Sequence, residues 1–261
     1  MKSLLKKSFS PAILLLSFFI LSGSARAILT GSVHPDHIEI GTDYDGQEIM
    51  ISGTVSKNED ILVRITGAGK DEKFKKKGKV FGLLWMNLNT IEMKNVPSMM
   101  LIAPSDYIER WRQKNPEAWK RLGLGFEAVK EGITLLPENE NKDMIFHELL
   151  KLKEKAGMYG ICQKAVRYTN NQDIRTYEVR IALPGSLPQG DYSIEIFGIG
   201  NGRILDKHTI PFSARQVGFP AFLSDLAFNH GLLYGILAVI IAIMGGLIIG
   251  FLFKGGKGSA H

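Results

Sequence analysis

The chain has 261 residues, 32 of them basic and 26 acidic, with a formal charge of +6 and one cysteine, Cys162. That length holds one sizeable domain with segments to spare, and a lone cysteine excludes an intrachain disulfide framework. The positive balance does not describe a nucleic-acid-binding domain: Lys2, Lys6, Lys7 and Arg26 fall in the first 27 residues, and setting them aside with Lys254 and Lys257 leaves 26 basic against 26 acidic side chains.

The first segment has the composition of a signal peptide. Three lysines precede an apolar run from Ala12 to Leu21, and Ala25-Arg26-Ala27 has the form of a signal-peptidase site, so residues 1–27 are expected to be removed after Ala27. From Ile28 to about Ala103 short β-branched and aromatic runs alternate with turn residues. HIEI, EIMISGTV, ILVRIT, VFGLLWMNLNTIEM and MMLIA read as strands, with DYDGQ and TGAGK as turns between them.

The period then changes. Ser105 is placed to cap a helix through DYIERWRQK, Asn115-Pro116 restarts one, and Gly123 stops it. A further helix is expected over about Lys142–Ala156, with Ile145, Leu149 and Leu152 on its buried face and Gly157 at its C-cap. Residues 105–157 thus read as a helical insertion. Strands return with AVRYT, TYEVRIALP, YSIEIFGIG and ILDKHTIPFSA, and LPGSLPQGDYSIEIF has the proline and glycine of an edge strand. The fold class expected is mostly β: an immunoglobulin-like β-sandwich over residues 28–228, interrupted by helices, followed by one transmembrane helix over 229–253.

The span itself, Gly231–Phe253, is 23 residues without a charge. As a helix it would measure about 34 Å, against a hydrocarbon core of about 30 Å. Lys254 and Lys257 in the tail 254–261 obey the positive-inside bias, so an exported domain in the periplasm and a cytoplasmic C-terminus are expected at a bacterial inner membrane. Phe219, Phe222, Phe228 and Tyr234 suit an aromatic belt at the outer end or a seam between domain and membrane.

Five patterns are candidates for function. Gly231, Gly235, Ala238, Ala242, Gly246 and Gly250 make a small-residue stripe of the kind that lets two membrane helices approach closely, in a homodimer or against a multi-span partner. Lys70, Lys73, Lys75, Lys76, Lys77 and Lys79 crowd what reads as a connection between strands, where they could draw an anion or lipid headgroups or simply be solvated. His34, Asp36 and His37 form a minimal set of metal-ligand types, although residues three apart on a strand face opposite ways. Trp85 and Asn87 share a strand face and read as core packing or a groove. His147-Glu148 lacks the second histidine of a zinc protease motif, and no nucleophile elbow or phosphate-binding loop occurs, so no catalytic residue and no cofactor is expected.

YDGQEIMISGTV, KKKGKVFGLLWMNL, NVPSMMLIAPS, RLGLGFEAV, LPGSLPQGDYSIEIF and the span after GLLYG, in that order, resemble the Alph_Pro_TM family of transmembrane proteins. The resemblance implies a periplasmic domain on one C-terminal helix and an association with exporters of sulfite and related organosulfur anions; it implies no catalytic residue. The function expected is that of a non-enzymatic, membrane-anchored periplasmic accessory protein whose partners are the lipid bilayer and a multi-span membrane protein or a second copy, with no role for nucleic acid. A small-anion receptor acting through the lysines and a periplasmic metalloenzyme or hydrolase are the alternatives.

Overall fold

The computed structural model describes residues 29–81, 83–171 and 174–254. The expected signal peptide and Lys257 lie outside the described residues. In chain order, β1 (Ser32–His34), β2 (His37–Ile40), β3 (Gly46–Ser56) and β4 (Asp60–Gly67) open the domain. A long hairpin of β5 (Gly69–Val80) and β6 (Leu84–Pro97) follows, and β7 (Met100–Pro104) returns beside β4.

The insertion consists of α1 (Asp106–Lys114), α2 (Pro116–Leu122), α3 (Phe126–Gly132), the short β8 (Thr134–Leu136) and α4 (Lys142–Lys155). Next come β9 (Tyr159–Ile161), β10 (Val166–Asn171), β11 (Ile174–Pro184), β12 (Gly190–Gly200) and β13 (Arg203–Gln216). Two helices, α5 (Gly218–Asn229) and α6 (Gly231–Lys254), end the described chain.

Alternation along the strands builds the sandwich. One sheet has the order β1-β3-β11-β10 and the other β2-β13-β12-β4-β7-β9. Ile49, Ile51 and Val55 of β3 and Tyr177, Val179, Ile181 and Leu183 of β11 are buried in the same core as Ile61, Val63 and Ile65 of β4 and Ile194 and Ile196 of β12. Every second residue faces inward, as expected for two sheets packed face to face. The second sheet is covered on its other face too, because α1 lies against β4 and β7, and Leu62 is therefore as buried as its neighbours. The mostly β domain with a helical insertion and one apolar C-terminal helix is the class the sequence implied.

Local chemistry explains the helix limits. Ser105 accepts a hydrogen bond from the Ile108 amide (3.3 Å) and Asn141 one from the Met144 amide (3.0 Å), each satisfying a free donor at a helix start. Gly123 and Gly157 end α2 and α4 with φ of 64° and 71°.

Three expectations need correction. TGAGK is not a turn: the chain runs through it extended, and Gly67 and Gly69 are there because a side chain would collide with Ser98 Oγ (2.1 Å) and Asn95 Oδ1 (2.2 Å) across the ladder. VFGLLWMNLNTIEM is not one strand, since β5 ends at Val80, Phe81 and Leu83 are turn residues, and β6 begins at Leu84. Leu152 is 55% exposed although it follows Ile145 and Leu149 on the same side of α4, because it borders an open cleft beside the ribbon instead of lying under it.

Candidate functional site

The β4–β7 pairing does not stop where the sandwich does. It runs from Leu62↔Pro104 to Thr66↔Met100, continues through the Gly67 amide to the Met99 carbonyl (2.9 Å) and the Ser98 amide to the Ala68 carbonyl (3.1 Å), and passes into Gly69↔Pro97 and Lys70↔Val96. The hairpin is thus a ribbon drawn out of two central strands. At about 3.3 Å per residue its twelve-residue first strand extends about 40 Å from its root.

The chain leaves for the membrane at the same end. Tyr192 of β12 pairs with Gly67 on one side and with Phe212 of β13 on the other, and Gly190 pairs with Ala214 just before β13 gives way to α5. The Ala68 amide, at the ribbon's root, donates to the Asp191 carbonyl (3.1 Å). Ribbon and span therefore both issue from the end marked by the start of β12.

A second small core holds the near half of the ribbon. Ile91, Met93 and Val96 of β6 are buried with Ile133, Leu135 and the Ile145, Phe146 and Leu149 face of α4. Ion pairs add to the clamp, Lys153 to Glu72 (2.5 Å) near the root and Lys76 to Glu140 (2.7 Å) farther out. A cleft of about 540 Å³ between ribbon and helix is lined by Phe74, Met144 and Leu152 among others.

The six lysines lie on β5 itself rather than in a connecting loop. Lys73, Lys75, Lys77 and Lys79 are exposed at every second position, while Lys76 turns to the helix side. Lys73 pairs with Glu92 (3.7 Å), but among the described residues no carboxylate lies within 4 Å of Lys70, Lys75, Lys77 or Lys79. Lys79 instead stands over the Trp85 ring (5.5 Å to its centre). Trp85 is 68% exposed, so core packing around it is overturned: the face it shares with Asn87 belongs to a ribbon that has no second sheet to cover it.

Along the span the six small residues fall within about a third of the helix circumference at 3.6 residues per turn. A methyl group added at Gly231, Gly235, Gly246 or Gly250 would meet no atom within 4 Å apart from the adjoining residues and the helix's own backbone, and α6 contacts α5 within the chain. The stripe is open. Helix α5 was not anticipated as an element, yet it carries Phe219, Phe222 and Phe228, all exposed, beside the exposed Tyr234 of α6.

The most organised charge cluster gave no sequence signal, because its members lie far apart in the chain. On the outer face of the second sheet Arg64 Nε donates to Glu195 Oε2 (2.8 Å), Lys207 Nζ pairs with Glu195 Oε1 (2.6 Å), and Arg64 also donates to the Gly123 carbonyl (3.1 Å). Both cations lie over the Phe197 ring, at 5.1 and 5.5 Å. Burial would raise the Glu195 pKa, but the Lys207 and Arg64 contacts outweigh it and hold the carboxyl below the usual range. The cluster borders a groove of about 620 Å³ with Thr66, Asn95, Val129 and Tyr192. Its charges are spent on one another, so it braces β4, β12 and β13 and offers no free cation to a ligand.

The histidines are not assembled. His34 ends β1 in one sheet and His37 begins β2 in the other, and the His37 Nδ1 is held by Asp36 Oδ1 at 2.6 Å, which raises the imidazole pKa. Among the described residues no three His, Cys, Asp or Glu side chains are grouped to hold a metal. Cys162 is half-buried against the core, and burial pushes its thiol pKa up.

A family model described as "Putative transmembrane protein (Alph_Pro_TM)" matches residues 29–255, which is nearly the whole described chain. No curated protein matches it.

Proposed function

Starting from a chain that belongs to the Alph_Pro_TM family of transmembrane proteins, we propose that it is a membrane-anchored, non-enzymatic accessory protein that sits beside a multi-span membrane partner. The observation that carries this reading is the stripe on α6, where a side chain added at any of its glycines would meet nothing beyond the helix's own nearby backbone. Apolar side chains gain little from one another in lipid, whereas small residues let helix backbones come close enough for dispersion and weak hydrogen bonds to favour association. The domain stands on the periplasmic side in this reading, with the tail in the cytoplasm. A multi-span exporter of sulfite or related organosulfur anions is the partner class that the family resemblance implies.

The test is affinity isolation of the full-length protein from its own membrane after cross-linking in cells, with mass spectrometry of what accompanies it. A reproducible multi-span protein is expected, and Gly246→Leu with Gly250→Leu should reduce its recovery several-fold. Recovery of the protein alone, or as a pair of identical chains, would refute the accessory reading.

A further inference from the structure

We propose that the tip of the ribbon is a second membrane contact, which dips into the leaflet on the domain's side of the bilayer. Beyond the part clamped by α4, one face of the ribbon is apolar, with Leu84, Met86 and Leu88 at alternate positions, while the other carries Lys77 and Lys79 beside Asn87 and Trp85. Phe81 is 94% and Leu83 85% exposed, and Leu84, Trp85, Met86 and Leu88 are exposed behind them. So many large apolar side chains at the end of a projecting hairpin, with no part of the domain over them, have a lower free energy in hydrocarbon than in water.

The occupant is lipid rather than another surface for three reasons. First, Lys75, Lys77 and Lys79 follow the apolar tip as a row without acidic partners among the described residues, which is the order that a headgroup layer beneath a hydrocarbon layer requires. Second, Trp85, with Lys79 over its ring, sits at the boundary between the two zones, where an indole is at home in a membrane interface. Third, the contact is continuous with the anchor already present. The ribbon leaves the same end of the sandwich as α5, and its length of about 40 Å exceeds the roughly 18 Å of the twelve-residue α5 that links domain to span. A tip directed along β4 therefore projects farther from that end of the sandwich than α5 can carry the start of the span helix α6. The inference depends on the membrane anchor alone and not on the existence of a protein partner.

The test uses the full-length protein carrying Cys162→Ser and Leu83→Cys, labelled with an environment-sensitive fluorophore and reconstituted in vesicles of phosphatidylcholine with phosphatidylglycerol. Lys57→Cys, in the exposed turn at the opposite end of the sandwich, is the control. Emission from the label at 83 should shift to the blue and be quenched by nitroxide lipids with shallow labels, while that at 57 should do neither. Replacing Lys75, Lys77 and Lys79 by Gln should weaken the shift, and raised salt should weaken it in the parent but not in the variant. A water-like, unquenched label at 83 would overturn the proposal. So would a label that is water-like in these vesicles but shielded and cross-linked to a protein in native membranes, which would assign the tip to a protein partner.

Discussion

Glu195 shows how a single residue can be strongly perturbed and still be structural. Its carboxylate receives Arg64 on one oxygen and Lys207 on the other, and its side chain is only 14% exposed, so little solvent screening reduces the interaction. Glu195→Gln keeps the shape and removes the charge, and should cost about 2 kcal/mol at neutral pH, the value of a hydrogen bond to a charged group. Because the folded carboxyl has a lowered pKa, the advantage of the parent is complete above the ordinary glutamate value of about 4.3 and is lost as pH falls through the folded value. Thermal melts of both proteins across acid pH should therefore converge; a constant gap would show that charge is not what Glu195 contributes. None of this was legible beforehand, since residues 64, 195 and 207 come together only through the order of β4, β12 and β13.

At the scale of elements the ribbon is a separate unit with its own core. Met93 is buried in it, and Met93→Ala should remove about 3 kcal/mol from that core. Local opening should then dominate: amides of β5, β6 and α4 should exchange faster while those of β3, β11 and β12 keep their protection. Uniform loss across the sandwich would contradict this division.

The sequence disclosed most strands through alternation and two helix starts through their caps, because those signals are local. It misread the ribbon for an equally physical reason. Glycine at 67 and 69 marks both turns and places where strands approach closely, and only the long-range pairing with Ser98 and Asn95 decides which. Alternation likewise located Trp85 on a face but carried no information on whether a second layer would cover it.

For the whole molecule, the arrangement is a sandwich with two projections from one end: a span that is apolar and unburied, and a ribbon that is basic along its length and apolar at its tip. The span was legible from length and composition alone. Whether its glycines are used is the central claim, and the most direct measurement is site-specific photo-cross-linking in the native membrane. A photoreactive residue is placed in turn at Ala238, Ala242 and Gly246 on the stripe, and at Ile240 and Met244 on the opposite face. The account predicts cross-links to a helix of a multi-span protein from the first set and none from the second. Equal cross-linking from both faces, or products with lipid only, would contradict it.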